Sequence, residues 1–181
     1  MRVIAGELKG RRLKSPAWDG LRPTSDKMRE TLFNILAPRI DGARVLDGYA
    51  GTGAIGIEAL SRGASWVSFV DSDRRAQALV AENLAHCGVA NGYVIIRADM
   101  ARAIGQLRAA GLTFDIALLD PPYDQSADAE LAALADLLAP GGIAVFEHPR
   151  RRLAPAHTER LTRTREVRSG DSALAFYELA L

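Results

Sequence analysis

The segment at residues 44–60 constrains the fold of this chain more than any other stretch. A short apolar run, Asp47, a G-x-G-x-x-G pattern and a second apolar run follow one another there. The three glycines are Gly51, Gly53 and Gly56. Glycines permit a tight turn and a close approach of the backbone to a ligand, and a helix that begins at such a turn attracts negative charge. The segment therefore predicts a buried strand, a tight turn with a ligand beside it, and a helix.

The remainder of the chain predicts an α/β fold. Apolar runs at 66–70, 93–96, 114–119 and 143–146 alternate with helical patterns at about 73–86, 100–110 and 127–138. This alternation indicates parallel βαβ units with right-handed crossovers. Two final strands, at 165–167 and 174–177, flank a Ser-Gly-Asp turn and are expected to be antiparallel. We therefore predict a Rossmann-like, mostly parallel seven-stranded sheet that ends in an antiparallel hairpin.

The first 22 residues follow a different pattern. Residues 2–5 and 11–14 predict a small basic β-hairpin extension at 1–22, which precedes the main domain at 23–181. Thr24 is the predicted N-cap of a helix that runs to about Leu36 and is stopped by Pro38. Lys27 and Arg29, near its start, are candidate phosphate contacts or solvated side chains.

Composition excludes several classes of protein. The chain has 181 residues, of which 48% are hydrophobic and 25% charged, as expected for one globular domain. No apolar run is long enough to span a membrane, so we expect a cytoplasmic protein. We also expect a monomer. Cys87 is the single cysteine, which excludes an internal disulfide. The three histidines lack metal-ligand spacing, so no metal is expected.

Charge is unevenly distributed, although the net charge is only +1. Residues 1–30 hold eight Lys or Arg against four Asp or Glu, and residues 150–181 hold seven against four. The centre, 31–149, holds eight against fourteen. Two basic ends around an acidic centre favour a polyanionic partner that contacts the termini, although an ordinary solvated surface has the same composition.

Four aspartates end four consecutive predicted strands: Asp47, Asp71, Asp99 and Asp120. Ligands of open α/β sheets bind at this edge, and the first and fourth strands are neighbours there in the usual order. Asp71 can accept hydrogen bonds from a ribose, and Asp99 from an adenine amine. The glycine pattern fits either a dinucleotide or S-adenosylmethionine (SAM). Asp47 would repel a pyrophosphate and attract the cationic end of SAM, so it favours SAM.

The loop Asp120-Pro121-Pro122-Tyr123 carries the strongest chemical signal. The prolines stiffen the loop and remove two N–H donors, which leaves carbonyl oxygens free to accept. With the Asp120 carboxylate and the Tyr123 ring, the set suits an exocyclic amine on a planar base. Drawing the amine protons toward Asp120 and the Pro121 carbonyl localises the nitrogen lone pair toward a methyl donor. The loop therefore predicts amino methyl transfer.

These residues resemble a known family. Asp120-Pro121-Pro122-Tyr123 is similar to the [D/N/S]-P-P-[Y/F] motif of SAM-dependent amino methyltransferases. Nearly the whole chain resembles the 16S rRNA guanine-N2 methyltransferases of the small-subunit methyltransferase D family. The matching stretches lie at 2–6, 10–13, 21–24, 29–34, 46–47, 50–53, 58–63, 114–115 and 120–123.

The resemblance implies a SAM-dependent enzyme that methylates guanine N2 in 16S rRNA, on an assembled or nearly assembled small subunit. Asp120, Pro121, Pro122 and Tyr123 are the candidate catalytic residues. The candidate cofactor-binding residues are Asp47, Gly48, Ala50, Gly51, Gly53, Asp71, Ser72, Asp99 and Met100. The candidate RNA-binding residues are Arg2, Lys9, Arg11, Arg12, Arg22, Arg150 and Arg151.

Two residues depart from the family pattern, and several alternatives stay open. Gly48 stands where Leu or another apolar residue is expected, which predicts a looser cofactor loop, and Asp71 stands where Glu is frequent. The close rival is an amino methyltransferase that acts on DNA adenine N6 or on another RNA. The rival from another class is an NAD(P)-dependent oxidoreductase, which explains the glycines and Asp71 but not Asp120-Pro121-Pro122-Tyr123. A cytosine-C5 methyltransferase requires a thiolate nucleophile, and Cys87 beside Gly88 is expected to be structural.

Overall fold

The computed structural model describes residues 1–20 and 24–180. Its centre is a seven-stranded sheet in the order β3-β2-β1-β4-β5-β7-β6. The strands are β1 (Arg44–Gly48), β2 (Trp66–Asp71), β3 (Tyr93–Arg97), β4 (Phe114–Leu119), β5 (Leu138–Pro149), β6 (Leu161–Ser169) and β7 (Ser172–Leu179). The first five are parallel, and β7 runs antiparallel to both of its neighbours. The predicted fold, including the antiparallel C-terminal hairpin, is confirmed.

Helices cover both faces of the sheet. They are α1 (Asp26–Ile40), α2 (Ala54–Ser61), α3 (Arg74–His86), α4 (Met100–Ala109) and α5 (Asp128–Ala133). Side chains of α1, α2 and α3 pack in one core layer, and those of α4 and α5 pack in the other. Because the central strands are covered on both faces, β4 reads as a nearly continuous apolar run. None of the helices in the described ranges is long and apolar enough to cross a membrane.

Helix α1 differs from its prediction at both ends. Ser25, not Thr24, is the N-cap, and its side chain accepts a hydrogen bond from the Met28 N–H. The helix continues through Pro38 to Ile40. A proline in the last turn removes one main-chain hydrogen bond while buried Ile40 still packs in the core, so the helix is not stopped there. Thr24 does not cap the helix, and its hydroxyl instead contacts Asp120, which follows β4, and Glu147 within β5.

The predicted helix at 127–138 was wrong in length. Helix α5 ends at Ala133, a single 3-10 turn (Leu134–Asp136) follows, and β5 begins at Leu138. Leu138 pairs with Phe114, and the register then shifts so that Ile143 pairs with Ile116. This bulge accommodates the Pro-Gly-Gly sequence inside the strand, where the apolar pattern alone gave only residues 143–146.

The N-terminal extension is a hairpin with minimal strands. Arg2 and Arg12 form one isolated antiparallel bridge, so the strands predicted at 2–5 and 11–14 are too long. The hairpin instead folds against α2. Gly6 has a φ of 82°, and a β-carbon there would lie 1.8 Å from the Ser61 carbonyl oxygen. Only glycine permits this close approach.

A buried ionic network fastens the hairpin to the body. The Glu58 carboxylate accepts hydrogen bonds from the main-chain N–H groups of Ile4 and Ala5 at 2.8 and 3.0 Å. Arg29 is fully buried and donates to the Arg2 carbonyl at 2.8 Å, so the expectation of a solvated or phosphate-binding Arg29 was wrong.

The predicted boundary between residues 22 and 23 lies outside the described residues, and the division into extension and domain stays a prediction.

Candidate functional site

Sheet topology brings the first and fourth strand ends together, as predicted. Strand β1 lies between β2 and β4, and the Asp120 N–H donates to the Gly48 carbonyl at 3.3 Å. The charge of Asp71 raises the pKa of Asp47, and the charge of Asp47 raises the pKa of Asp120. The glycine turn and the Asp-Pro-Pro-Tyr loop therefore border one site at the carboxyl edge of the sheet.

Asp47 takes the place that an anion would occupy at the start of α2. Its Oδ2 accepts a hydrogen bond from the Gly56 N–H at 2.9 Å, and its side chain is 2% exposed. Burial raises the pKa of Asp47 to about 7 against the opposing effect of the Gly56 bond, and the Asp71 charge raises it further. A helix N-terminus that already holds a carboxylate is poorly suited to a pyrophosphate. This geometry disfavours a dinucleotide and suits a cationic ligand group.

Asp71 and Asn83 fix the glycine turn. The Asp71 carboxylate accepts from the Gly51 N–H and the Asp73 N–H, each at 2.9 Å. The Asn83 side chain is fully buried and donates to the Thr52 carbonyl at 2.9 Å. Each Asp71 oxygen retains a lone pair, so its predicted contact with a ribose is compatible with this bonding. Ser72, the predicted cofactor contact beside it, is exposed.

Gly48 has a packing reason that the sequence did not reveal. A β-carbon there would lie 2.8 Å from Leu119 Cδ2, 2.9 Å from the Leu118 carbonyl oxygen and 2.9 Å from Met100 Sδ. Met100 is 3% exposed, so its side chain fills the space that the apolar residue expected at position 48 would take. The end of β1 is therefore closely packed around Gly48.

Asp99 lies at the next strand end, as predicted. It is the N-cap of α4, and its Oδ1 accepts from the Arg102 N–H at 2.8 Å. Its side chain is otherwise exposed, which leaves Oδ2 available to an amine. The adenine contact of Asp99, and the cofactor contacts of Ala50, Gly53 and Met100, stay predictions.

Tyr49 is a site residue that sequence reasoning missed. It has a φ of 62°, the left-handed conformation that bulky residues rarely adopt. Burial raises the pKa of its hydroxyl to about 12, with Glu130 and then Asp99 adding to the rise. The hydroxyl therefore lies within electrostatic reach of Glu130 on α5 and of Asp99 at the start of α4, and the side chain packs against the core layer of these helices. Its large side chain inside a glycine-rich turn was the available signal, because strained backbone concentrates at functional sites.

The Asp-Pro-Pro-Tyr loop is held from two sides. Pro121 is buried and Pro122 exposed, and the Tyr123 hydroxyl forms a hydrogen bond with Ser172 Oγ at the start of β7. On the other side, the Thr24 hydroxyl lies 3.1 Å from Asp120 Oδ2 and 3.0 Å from Glu147 Oε2. Neither Thr24 nor Glu147 was predicted as a site residue. Glu147 follows the buried apolar run of β5, where an acid was the available signal.

The surroundings of Asp120 disfavour the ionised form of its carboxyl group. Burial and the adjacent Glu147 carboxylate raise its pKa well above the ordinary value, the Thr24 hydrogen bond opposes the rise, and Asp47 adds to it. Perturbed carboxylates of this kind concentrate at sites of proton transfer. The arrangement can hold an amine through its N–H groups and accept a proton from it.

The predicted RNA-binding residues fall into two groups. Arg2 and Lys9 line a cavity of about 350 Å³ against α1, Arg12 is exposed, and Arg11 donates to the Cys87 carbonyl at the end of α3. Arg150 and Arg151 are exposed after β5. Arg152 donates to the Gln125 carbonyl at 2.9 Å, which brings this second group beside the Asp-Pro-Pro-Tyr loop. Arg22 lies outside the described residues.

SAM fits the polar groups at this edge. The buried Asp47 offers a carboxylate to an ammonium, and Asp71 and Asp99 offer oxygens to a ribose and an adenine amine. The Gly56 amide that would bind a phosphate is already bonded to Asp47. The donor and acceptor set is therefore that of a cationic nucleoside.

Comparison with known proteins places the chain among methyltransferases. A family model described as "Conserved hypothetical protein 95" matches residues 1–178. A Bacillus subtilis protein named "Putative rRNA methyltransferase YlbH" is 39% identical over 98% of both chains. "Ribosomal RNA small subunit methyltransferase D" of Escherichia coli is 42% identical over 68% of this chain and 60% of its own length. The solved structure titled "Putative methyltransferase yhhF from Escherichia coli" superimposes with a TM-score of 0.84 at 34% identity, over 99% and 97% of the two chains.

Proposed function

The chain belongs to the family described as conserved hypothetical protein 95, and we propose that it is a SAM-dependent methyltransferase that acts on the exocyclic N2 amine of a guanine in 16S rRNA. The names of its relatives support an rRNA substrate of the small ribosomal subunit. The observation that carries the proposal is the position of Asp120, at the head of a rigid Pro-Pro-Tyr loop and beside the glycine turn that holds Asp47.

Asp47, Asp71 and Asp99 would hold the cofactor, which supplies an electrophilic methyl group when it is bound. Asp47 would bind its ammonium through the carboxylate that Gly56 orients. Asp71 keeps the glycine turn in place through the Gly51 N–H and would accept from the ribose. The site is thus organised before the ligand binds, which lowers the entropic cost of binding.

The loop residues hold the target amine. Asp120 and the Pro121 carbonyl accept its two N–H groups, which fixes the amine and directs its lone pair away from them. The Tyr123 ring, fixed by Ser172, supports the plane of a base that has been turned out of its RNA stack. When the methyl group has been transferred, Asp120 accepts the surplus proton of the nitrogen.

The basic residues would bind the rRNA backbone. Arg150 and Arg151 lie beside the catalytic loop, and Arg2, Lys9, Arg11 and Arg12 extend the contact along the hairpin. Their contribution is electrostatic and therefore sensitive to salt. We propose a monomer that acts in the cytoplasm on the small subunit or on an assembly intermediate of it.

The decisive experiment offers methyl-labelled SAM and the purified protein to three substrates: free 16S rRNA, small ribosomal subunits and duplex DNA. We expect label in RNA, on a guanine N2 that mass spectrometry of nuclease digests identifies. Label in DNA adenine would contradict the proposal in favour of the amino methyltransferase of DNA, and label in neither nucleic acid would reject the function.

Asp120→Ala supplies the matched test of the site. We expect transfer to fall by at least a factor of about 100, the usual scale of a lost general base, while SAM affinity measured by calorimetry stays within about twofold. Asp124→Asn, an exposed neighbour in the same loop, should retain activity. Full activity of Asp120→Ala would move the chemistry to another residue.

A further inference from the structure

The edge strand β6 carries a row of arginines that begins beside the catalytic loop. Its last residue, Ser169, pairs with Ser172, whose hydroxyl forms the hydrogen bond with Tyr123. Arg168 precedes Ser169 and is exposed, and Arg165 is exposed three residues earlier. At about 3.3 Å per residue, the two arginines lie about 10 Å apart along the strand. The row therefore leads from the catalytic loop along the outer edge of the sheet.

The loop after β5 continues this row on the side of the catalytic loop. The Arg150 N–H donates to the Asp171 carbonyl at 2.8 Å, which fixes the loop to the turn between β6 and β7. Arg150 and Arg151 are exposed, and neither side chain has an acidic partner in the described part of the chain. Arg152 is instead engaged with Asp128 at 3.3 Å. Two guanidinium groups of the loop are therefore available to an anion.

Glu166 holds two arginines of β6 in place without neutralising both of them. Its carboxylate accepts from Arg163 Nη1 at 2.9 Å and from Arg168 Nη2 at 2.7 Å. A guanidinium has five N–H donors, and Arg168 directs only Nε and Nη2 at Glu166, so it keeps donors for a phosphate. Arg165 has no acidic partner within the described ranges. Even with Asp171 in the adjacent turn, the edge therefore carries an excess of positive charge.

Charged side chains on an edge strand also prevent pairing with another sheet, but the opposite edge argues against that role here. Strand β3 is the other edge of the same sheet. Its sequence is Tyr-Val-Ile-Ile-Arg, with Arg97 as its one charged residue, and Val94 is 38% exposed. Protection against edge pairing would be needed at apolar β3 more than at β6. The arginines are concentrated instead at the edge that adjoins the catalytic loop.

We propose that Arg165 and Arg168 bind backbone phosphates of the RNA that flanks the target guanine, and that they continue a contact which Arg150 and Arg151 begin. This inference rests on the proposed function, since it names the surface through which that substrate is held. Arginine binds phosphate through charge-assisted pairs of N–H groups, and such contacts position a nucleic acid without reading its bases. The edge thus contributes to RNA affinity and not to cofactor binding.

Filter binding of 16S rRNA to the purified protein at a series of salt concentrations tests this surface. For Arg165→Ala, and likewise for Arg168→Ala, we expect the dissociation constant to rise about five- to eightfold at about 0.1 M salt. The slope of log affinity against log salt should decrease in magnitude by about 0.7–0.9, the effect of one lost phosphate contact. Arg165→Lys keeps the charge and should keep most of the slope. SAM affinity, measured by calorimetry, should be unchanged in all three variants.

Arg160→Ala is the matched control. Its side chain is 54% exposed and that of Arg168 is 52% exposed, so the two arginines are equally accessible. Arg160, however, precedes the other end of β6 and pairs with Asp136. Its removal takes away the same charge at a distance from the catalytic loop, and it should change neither the dissociation constant nor the salt slope.

An unchanged dissociation constant and slope in the double variant of Arg165→Ala and Arg168→Ala would overturn the inference. An equal weakening by Arg160→Ala would report only the loss of net charge and would also overturn it. Association of the double variant into dimers in sedimentation, with unchanged RNA affinity, would indicate edge protection instead. Failure of the wild type to methylate RNA would reject the proposed function, and the binding comparison would still decide whether the edge contacts RNA.

Discussion

The side-chain amide of Asn83 donates a hydrogen bond of 2.9 Å to the Thr52 carbonyl, inside the glycine turn. The same buried side chain exchanges two hydrogen bonds with the main chain of Lys14, at 2.7 and 3.2 Å. One residue of α3 thus connects the N-terminal extension with the glycine turn. The extension and the turn are expected to lose stability together when this residue is changed.

Asn83→Asp tests that coupling. The substitution keeps the size of the side chain but removes both N–H donors, which leaves the Thr52 and Lys14 carbonyls without their partner. We expect the free energy of unfolding to fall by about 2–4 kcal/mol, the scale of buried polar groups left unsatisfied, and SAM to bind more weakly. Urea denaturation and calorimetry measure the two effects. Glu82→Gln, in the exposed ion pair next to it, should change stability by less than about 1 kcal/mol.

Gly48→Ala tests the packing at the end of β1. The added β-carbon would meet three atoms at 2.8–2.9 Å, one of them a main-chain oxygen. We expect a loss of about 1–3 kcal/mol in unfolding free energy, as for other overpacked cores. Gly105→Ala in α4 is the matched control: a β-carbon added there would meet nothing within 4 Å, and it should stabilise the helix by about 0.5–1 kcal/mol. Equal stability of the two variants would contradict the packing argument.

The sequence predicted the parts of this fold that depend on local pattern. The parallel strands, their order around Asp47 and Asp120, and the antiparallel C-terminal hairpin follow from apolar periodicity and from the geometry of crossovers. The glycine turn and the Asp-Pro-Pro-Tyr loop carry their chemistry within a few consecutive residues. These features therefore needed no knowledge of tertiary contacts.

The features that the sequence did not predict depend on contacts between distant segments. Arg29 resembles a solvated helix residue, but it is buried because the hairpin and Glu58 supply its partners. Thr24 resembles a helix cap, yet its hydroxyl contacts acids that follow about 100 and 120 residues later in the chain. Gly48 departs from the family pattern in sequence, and the Met100 side chain, which fills the space beside it, accounts for the glycine. Single-residue patterns do not encode such complementarity.

Two substitutions of Tyr123 separate the contribution of its ring to kcat from that of its hydroxyl. Tyr123→Phe keeps the aromatic face and loses the hydrogen bond to Ser172, so we expect kcat for RNA methylation to fall by less than about tenfold, the value of one hydrogen bond. Tyr123→Ala removes the stacking surface, which is worth about 1–3 kcal/mol per base, and should cost about 10- to 100-fold or more. Similar losses in the two variants would show that the hydroxyl, not the ring, carries the function.

Asp47 predicts how cofactor binding depends on pH. Its pKa is raised to about 7 by burial, so below that pH the free enzyme must lose a proton before it can bind a cationic amine. SAM affinity should therefore rise by up to about tenfold per pH unit toward pH 7, and fall above about pH 8 where an α-amino group loses its charge. Calorimetric titrations between pH 5.5 and about 8.5 measure both limbs. Asp47→Asn should bind weakly and lack the rising limb.

Ionisation of the Asp47 carboxyl group also makes the free energy of unfolding depend on pH. A raised pKa means that the folded protein binds the proton more tightly than the unfolded chain, so the contribution of Asp47 is fully present below about pH 4 and is lost as pH rises through about 7. Without cofactor, the wild type should lose up to about 1.4 kcal/mol per pH unit across that window relative to Asp47→Asn. Urea denaturation of both proteins at a series of pH values measures the difference. A constant difference would mean that Asp47 is ionised throughout, and the rising limb of SAM affinity would then need another origin.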